Sequence, residues 1–209
     1  MRLDQKAPWT KLRRLRTRLR GRTRQLLLRM PGGSALIAAR RRRAIESGSL
    51  GALVPVESLS QYFRGAIRDL ASGVESEFRY FEAGVFCGQS LAVWFDVCAS
   101  EGVETRAYGA DSFQGLPPQV RNDEGSWEEA MFWCPREVAE WNLERLGVPM
   151  ERLELIEGWY DETLTPSLAE RIGRVDVAML DADAYSSTVP VLSFLTPVLN
   201  SPSVVVFDD

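Results

Sequence analysis

Two hydrophobic periods alternate along most of the chain. Leu59, Tyr62, Phe63, Ile67 and Leu70 recur three and four residues apart, which predicts a helix over residues 57–71. After Gly73 the pattern becomes short apolar runs separated by helical stretches. The runs at 77–85, 105–110, 153–156, 175–180 and 203–207 read as strands, and 90–100, 135–146, 168–172 and 188–199 as helices. Pro135 opens the second of these helices in its first turn and Gly147 closes it; Pro190 sits in the first turn of the last. Alternating strands and helices imply a parallel sheet covered on both faces, so the expected fold class is α/β, doubly wound. A polar stretch at 119–133 has no period and reads as a loop or lid.

Residues 1–50 follow a different pattern and read as an appendage. Leu12, Leu15 and Leu19 recur at helical spacing among arginines, Leu26, Leu27 and Leu28 extend the apolar side, and Gly21, Pro31, Gly32 and Gly33 interrupt it. Residues 1–43 hold fifteen basic side chains against one acid, Asp4, a surplus of +14; with a net charge of −4 the remainder carries −18. A basic amphipathic arm suits packing on its own acidic body or on an oligomer partner, or peripheral contact with an anionic membrane. Nucleic acid is a poor fit, because no aromatic stacking platform or nucleic-acid module accompanies the charge. The arginines at 40–43 read as a solvated turn of helix.

Composition narrows the chemistry further. The length of 209 residues suits one α/β domain plus the arm. No apolar run approaches the roughly 20 residues of a membrane span, and the N-terminus lacks a signal peptide's apolar centre, which places the expected location in the cytoplasm. Cys87, Cys98 and Cys134 have no metal-ligand spacing and read as free thiols in a reducing compartment. Histidine is absent. That excludes histidine triads and ligands and leaves carboxylates as proton acceptors.

The acids gather at the carboxyl ends of the predicted strands, where open α/β sheets keep their ligands. The first strand runs into Glu82-Ala-Gly84-Val-Phe-Cys-Gly88-Gln-Ser90, where Gly84 and Gly88 permit a tight turn or close approach to a ligand and Ser90 can cap the next helix. G-x-G-x-x-G and the Walker Gly-Lys-Ser/Thr are not present, which disfavours an NAD-dependent reductase and a nucleotide triphosphatase. Glu82 would repel phosphates and suits a cationic or hydroxyl-bearing ligand. The second strand ends in Asp111-Ser112, where Asp111 can accept both hydroxyls of a ribose or cap a turn. Gly158-Trp159 follows the third strand, and Trp159 is either an aromatic wall for a base or part of the core. The fourth strand delivers Asp181 and Asp183, which point the same way if the chain stays extended, and Ser186 to Thr188 offer a helix cap. Two carboxylates that close repel unless a cation or shared proton sits between them. Asp208 and Asp209 follow the fifth strand.

In that order these tips resemble the class I S-adenosylmethionine-dependent methyltransferases, and more closely the macrocin O-methyltransferase family, which methylates sugar hydroxyls of macrolide and aminocoumarin antibiotics. The resemblance rests on residues 82–90, 111–117, 158–164, 181–188 and 207–209 and covers roughly 55–209. It implies strand order 3-2-1-4-5 and a methyltransferase domain over residues 51–209 behind the arm of 1–50. It also implies S-adenosylmethionine held by Glu82, Gly84, Gly88, Ser90, Asp111, Ser112, Gly158 and Trp159. Mg²⁺ would sit on Asp181, Asp208 and Asp209, with Asp183 as the base. The acceptor expected is a small-molecule hydroxyl on a sugar or glycoside; a catechol-type phenol is the enzymatic alternative, and a homo-oligomer is compatible with the family.

The family pattern normally continues through two further strands and a helix beyond the point where Asp209 stands. The expectation is therefore a fragment, or a truncation completed by a partner. A non-catalytic domain that binds partners through its arm is the rival reading.

Overall fold

A computed structural model describes residues 26, 30–50, 54–73, 77–118, 120 and 131–208, without the side chains of 200 and 201. In chain order the elements are α1 (Gly33–Glu46), α2 (Val56–Leu70), β1 (Phe78–Ala83), α3 (Gln89–Glu101), β2 (Thr105–Asp111), α4 (Arg136–Arg145) and β3 (Leu153–Glu157). A single helical turn, α5 (Tyr160–Thr163), then leads into α6 (Pro166–Ile172), β4 (Val175–Leu180), α7 (Tyr185–Leu195) and β5 (Leu199–Phe207). The five strands form one sheet in the order β3-β2-β1-β4-β5. Every pairing is parallel. The expected strand order is the observed one.

Strand alternation divides the core into two layers. Phe78 and Tyr80 of β1 face α2 and α3, where the Tyr80 ring stacks on Trp94 at 4.6 Å and Phe63 meets both rings edge-on. Phe81 and Ala83 face the other way, into a layer with Ile172, Val191, Phe194 and Leu195 of α6 and α7. Because helices cover both faces, β4 is buried along its whole length, as its largely apolar run predicts; the one charged residue in it, Asp176, accepts the Arg79 backbone N–H at 2.8 Å. Among the described residues no helix is long and apolar enough to cross a membrane.

Several element ends depart from expectation for local reasons. α7 begins at Tyr185, so Thr188 lies inside its first turn and bonds back to the Ala184 carbonyl at 3.0 Å instead of capping. The helix ends at Leu195, and β5 begins at Leu199, where Leu199 pairs Val175 before a register shift. α3 starts after Gly88 with no side-chain cap, so Ser90 is not a capping residue. Of the arginines at 40–43, Arg40 and Arg43 are exposed as expected, and Arg41 and Arg42 are not. Arg41 lies over the Trp133 ring at 4.5 Å and Arg42 over Trp141 at 5.3 Å, so both are half-buried on the body. The leucines at 12, 15, 19, 27 and 28, read as the apolar side of the arm, lie outside the described residues.

One buried polar group sits beneath the sheet's carboxyl end. Glu82 is fully enclosed; the Tyr80 hydroxyl donates to its Oε2 at 2.6 Å and the Ser90 hydroxyl to its Oε1 at 2.7 Å. Burial pushes its carboxyl up to about 8, against the pull of those two donors. Beside it, Gly84 has φ of 97°, and a Cβ there would collide with the Asp181 carbonyl oxygen.

Two outcomes follow from this arrangement. A folded-state value raised above the unfolded one means that the native chain holds a proton that the unfolded chain releases. Stability from Glu82 is therefore full below the ordinary glutamate range and lost as pH climbs towards about 8. Urea unfolding of the wild type should weaken across that window by up to about 1.4 kcal/mol per pH unit. Glu82→Gln should flatten that slope. Gly84→Ala should destabilise by about 2–4 kcal/mol, because strain at positive φ adds to overpacking; unchanged denaturation midpoints would contradict the close approach of β1 and β4.

Candidate active site

The carboxyl ends of the strands open into a cavity of about 710 Å³. Its wall includes Gly84, Ser90, Asp111, Ser112, Gly158, Trp159, Asp181, Asp183 and Asp208, so most of the residues expected at a site converge on one space. Three do not follow that description. Glu82 lies behind the wall, with both oxygens engaged by Tyr80 and Ser90. Gly88 is not in the wall either; a Cβ there would stand 2.6 Å from Leu143 Cγ, so the close approach it permits is to α4 and not to a ligand. Asp209 lies outside the described residues.

Asp111 organises the rim between β1 and β2. Its Oδ2 accepts the Phe86 backbone N–H at 2.8 Å and its Oδ1 accepts that of Phe113 at 2.7 Å. Both phenylalanines are in the left-handed region, at φ of 50° and 52°. The carboxylate therefore stabilises two turns that side chains with a Cβ adopt at a cost. Burial raises its pKa, and the same two N–H groups oppose that rise. A carboxylate offers about four acceptor positions, so two backbone bonds leave capacity for ligand hydroxyls. Turn cap and hydroxyl acceptor are compatible roles here. Ser112 closes the next turn: its hydroxyl donates to the Gly115 carbonyl and accepts from the Gln114 N–H, both at 3.0 Å.

On the other side, β4 hands the chain to a sharp turn. Asp181 N–H continues the ladder to the Ala83 carbonyl at 2.9 Å, but Asp183 has φ of 57° and the Ala184 N–H bonds to the Ala182 carbonyl at 2.6 Å. Extended geometry thus stops at Ala182. Asp181 and Asp183 reach the cavity from a turn, not from two pleats of one strand. Asp208 joins them across the β4–β5 ladder, its N–H bonded to the Leu180 carbonyl at 3.1 Å. Among the described residues no three acidic or cysteine side chains gather closely enough to hold a metal ion. The described part of the expected Mg²⁺ set, Asp181 and Asp208, does not by itself make a cradle.

Some wall residues were not singled out by sequence reasoning. Gln89, the first residue of α3, and Tyr160, the first of α5, both face the cavity. Tyr160 remains a neutral phenol, its pKa raised well above the usual value by burial and then by Asp111 and Asp181. Ser49 and Leu50 come from the stretch read as an appendage. Nothing in their spacing marks them, since only the docking of α1 brings them here. The cysteines are free and buried, and Cys87, in the wall, has its thiol pushed up to about 11 by burial, which keeps it protonated and unreactive.

Comparison with known proteins bears on this geometry. The macrocin-O-methyltransferase (TylF) family pattern matches residues 34–209. The 8-demethyl-8-(2,3-dimethoxy-alpha-L-rhamnosyl)-tetracenomycin-C 4'-O-methyltransferase of Streptomyces olivaceus is 32% identical over 149 residues, covering 67% of this chain and 55% of that protein. The mycinamicin III 3''-O-methyltransferase of Micromonospora griseorubida is 26% identical over 165 residues, covering 74% of this chain and 61% of that one. The chain thus spans between half and two thirds of the length of these relatives. Among solved structures, the O-methyltransferase NovP superposes with a TM-score of 0.60 at 23% identity, over 72% of this chain and 64% of that chain. The calicheamicin methyltransferase CalS11 gives 0.60 at 21%, over 86% and 78%. At those identities the two structures show a shared fold. With the family pattern spanning everything from α1 to the end of β5, the chain belongs to the macrocin-O-methyltransferase family.

Proposed function

We propose that this chain forms the cofactor-binding and catalytic part of an S-adenosylmethionine-dependent O-methyltransferase whose acceptor is a hydroxyl on a sugar or glycosylated metabolite. The observation that supports this reading is the single cavity that joins Asp111 and Trp159 to Asp181 and Asp183. A nucleoside fits one half of it: Asp111 has acceptor capacity for ribose hydroxyls, and Trp159 and Phe86 offer apolar surface beside it. The acidic lining suits a ligand that carries a sulfonium cation. By its description the Streptomyces olivaceus relative is a 4'-O-methyltransferase of a rhamnosyl-tetracenomycin, and the Micromonospora griseorubida relative a 3''-O-methyltransferase of mycinamicin III.

When bound, the sulfonium supplies an activated methyl group. The chain's own residues do the rest. Asp111, Ser112 and the Gly158–Trp159 turn orient the nucleoside, and Ser90, held by Glu82, fixes the start of α3 beside it. Asp183 accepts the proton of the attacking hydroxyl, a role worth about 10²–10⁴ in rate for a positioned general base. Holding the acceptor oxygen at the methyl contributes through proximity. No step is routed through a metal ion: among the described residues no group of three acidic or cysteine side chains could hold one, and Asp209 lies outside them.

Asp183→Asn should leave the calorimetric affinity for S-adenosylmethionine within about threefold while turnover falls at least about 10²-fold. Normal methylation by that variant would remove Asp183 from the role. Two acceptors separate sugar from phenol methylation: 4-nitrophenyl α-L-rhamnopyranoside, which offers only sugar hydroxyls, and 3,4-dihydroxybenzoate, which offers only phenols. Chelation tests the metal expectation: loss of turnover with EDTA and recovery with Mg²⁺ supports a site at Asp181, Asp208 and Asp209, and indifference to EDTA removes it. No binding of the cofactor, with or without Mg²⁺, would favour the non-catalytic reading.

A further inference from the structure

The tips of β2, β1 and β4 end level with one another. Ala83 pairs Ala110 on one side and Leu180 on the other, so Asp111, Gly84 and Asp181 follow in a row across the sheet. Tyr160, the first residue of α5, approaches that row from the α6–α7 side. Its ring packs on the cluster that holds Phe81, Tyr108, Ala110 and Leu168, and the residue also lines the cavity. Its hydroxyl stands 3.5 Å from the Ala110 carbonyl oxygen. That carbonyl also accepts the Gly84 N–H at 3.0 Å, which turns it from β2 towards β1. The hydroxyl therefore lies on the β1 side of Asp111, between that acid and the turn after β4.

The protein uses little of this hydroxyl's bonding capacity. At 3.5 Å its bond to Ala110 is long, and among the described residues no donor reaches its oxygen. Buried tyrosine hydroxyls ordinarily find good partners, so a ligand is the natural source of one here. A nucleoside whose ribose meets Asp111, and whose methyl meets a hydroxyl at Asp183, has its sulfur between those acids, where the Tyr160 oxygen is. C–H groups on a sulfonium are polarised and donate weak hydrogen bonds to oxygen. A group facing an activated methyl must also not compete for it. A carboxylate or phenolate there would be a nucleophile; Tyr160 is kept a neutral phenol by burial and then by Asp111 and Asp181.

We propose that Tyr160 contacts the cofactor at its reacting end, its hydroxyl oxygen accepting from the sulfonium methyl and aiming that methyl at the acceptor. The inference rests on the S-adenosylmethionine-dependent reading and deepens it: a neutral oxygen recognises the charged centre, apart from recognition of the nucleoside at Asp111. No bond forms or breaks at Tyr160. The methyl passes from sulfur to the acceptor oxygen, the bonding pair stays on sulfur, and the acceptor's proton goes to Asp183.

The test is calorimetry on the full chain with three ligands that differ only at the sulfur position. S-adenosylmethionine carries the methyl and the charge, and S-adenosylhomocysteine lacks both. Sinefungin has an amine-bearing carbon in place of the methylated sulfur, so it offers a charged N–H donor at the same place. Tyr160→Phe keeps the ring and removes the oxygen. It should weaken sinefungin about tenfold, as for a hydrogen bond from a charged group. S-adenosylmethionine should weaken about threefold, as for a weak C–H donor, while S-adenosylhomocysteine keeps its wild-type affinity. A change of the same size for all three ligands, or no change for any, marks a packing role for the ring and would overturn the proposal. Failure of the wild type to bind S-adenosylmethionine and S-adenosylhomocysteine would overturn the methyltransferase reading itself.

Discussion

Carboxylates kept from water must be compensated, and the compensation at this sheet's end determines the shape of the site. Asp111, half-buried in the cavity wall, shows one form of that compensation. Its two oxygens take backbone N–H groups from two different loops, and both donor residues occupy left-handed positions. The bonds offset the cost of burial, and the strain of the loops is offset by the bonds. Loosening either side would release the other. Glu82 solves the same problem with hydroxyl donors, and at a raised pKa it also relieves itself by holding a proton.

The scaffold makes this arrangement firm. β1 and β4 lie side by side at the centre of the sheet, and their carboxyl ends touch through Gly84 and Asp181. Aromatic packing of Tyr80 and Trp94 holds one face, and α6 and α7 cover the other. The acidic tips are thereby presented at one end of a rigid element. α1 adds a third side. Its cationic face is used on the indole rings of Trp133 and Trp141, so part of the positive charge near the N-terminus acts within the molecule.

Much of this was legible in the sequence, for identifiable reasons. The strand at 175–180 is apolar except for Asp176, and a strand buried on both faces of a parallel sheet needs such a run. The cluster of acids after successive strands marked the end of the sheet at which the cavity opens. What was not legible depends on contacts between distant residues. Ser90 has the position and chemistry of a helix cap, yet it bonds Glu82, eight residues back, because a tertiary partner competes with a local one. Asp183 was expected to share a pleat with Asp181; the turn at 182–184 that prevents it has no glycine to announce it. Arg41 and Arg42 looked like solvated charge because a helix's own sequence does not show which neighbour its basic face will meet.

The most direct measurement is a crystal structure of the chain soaked with S-adenosylhomocysteine. The account predicts the ribose hydroxyls within hydrogen-bond distance of Asp111, with the homocysteine sulfur directed towards the turn that carries Asp183. A nucleoside seated elsewhere in the cavity, with Asp111 bonded only to Phe86 and Phe113, would contradict it.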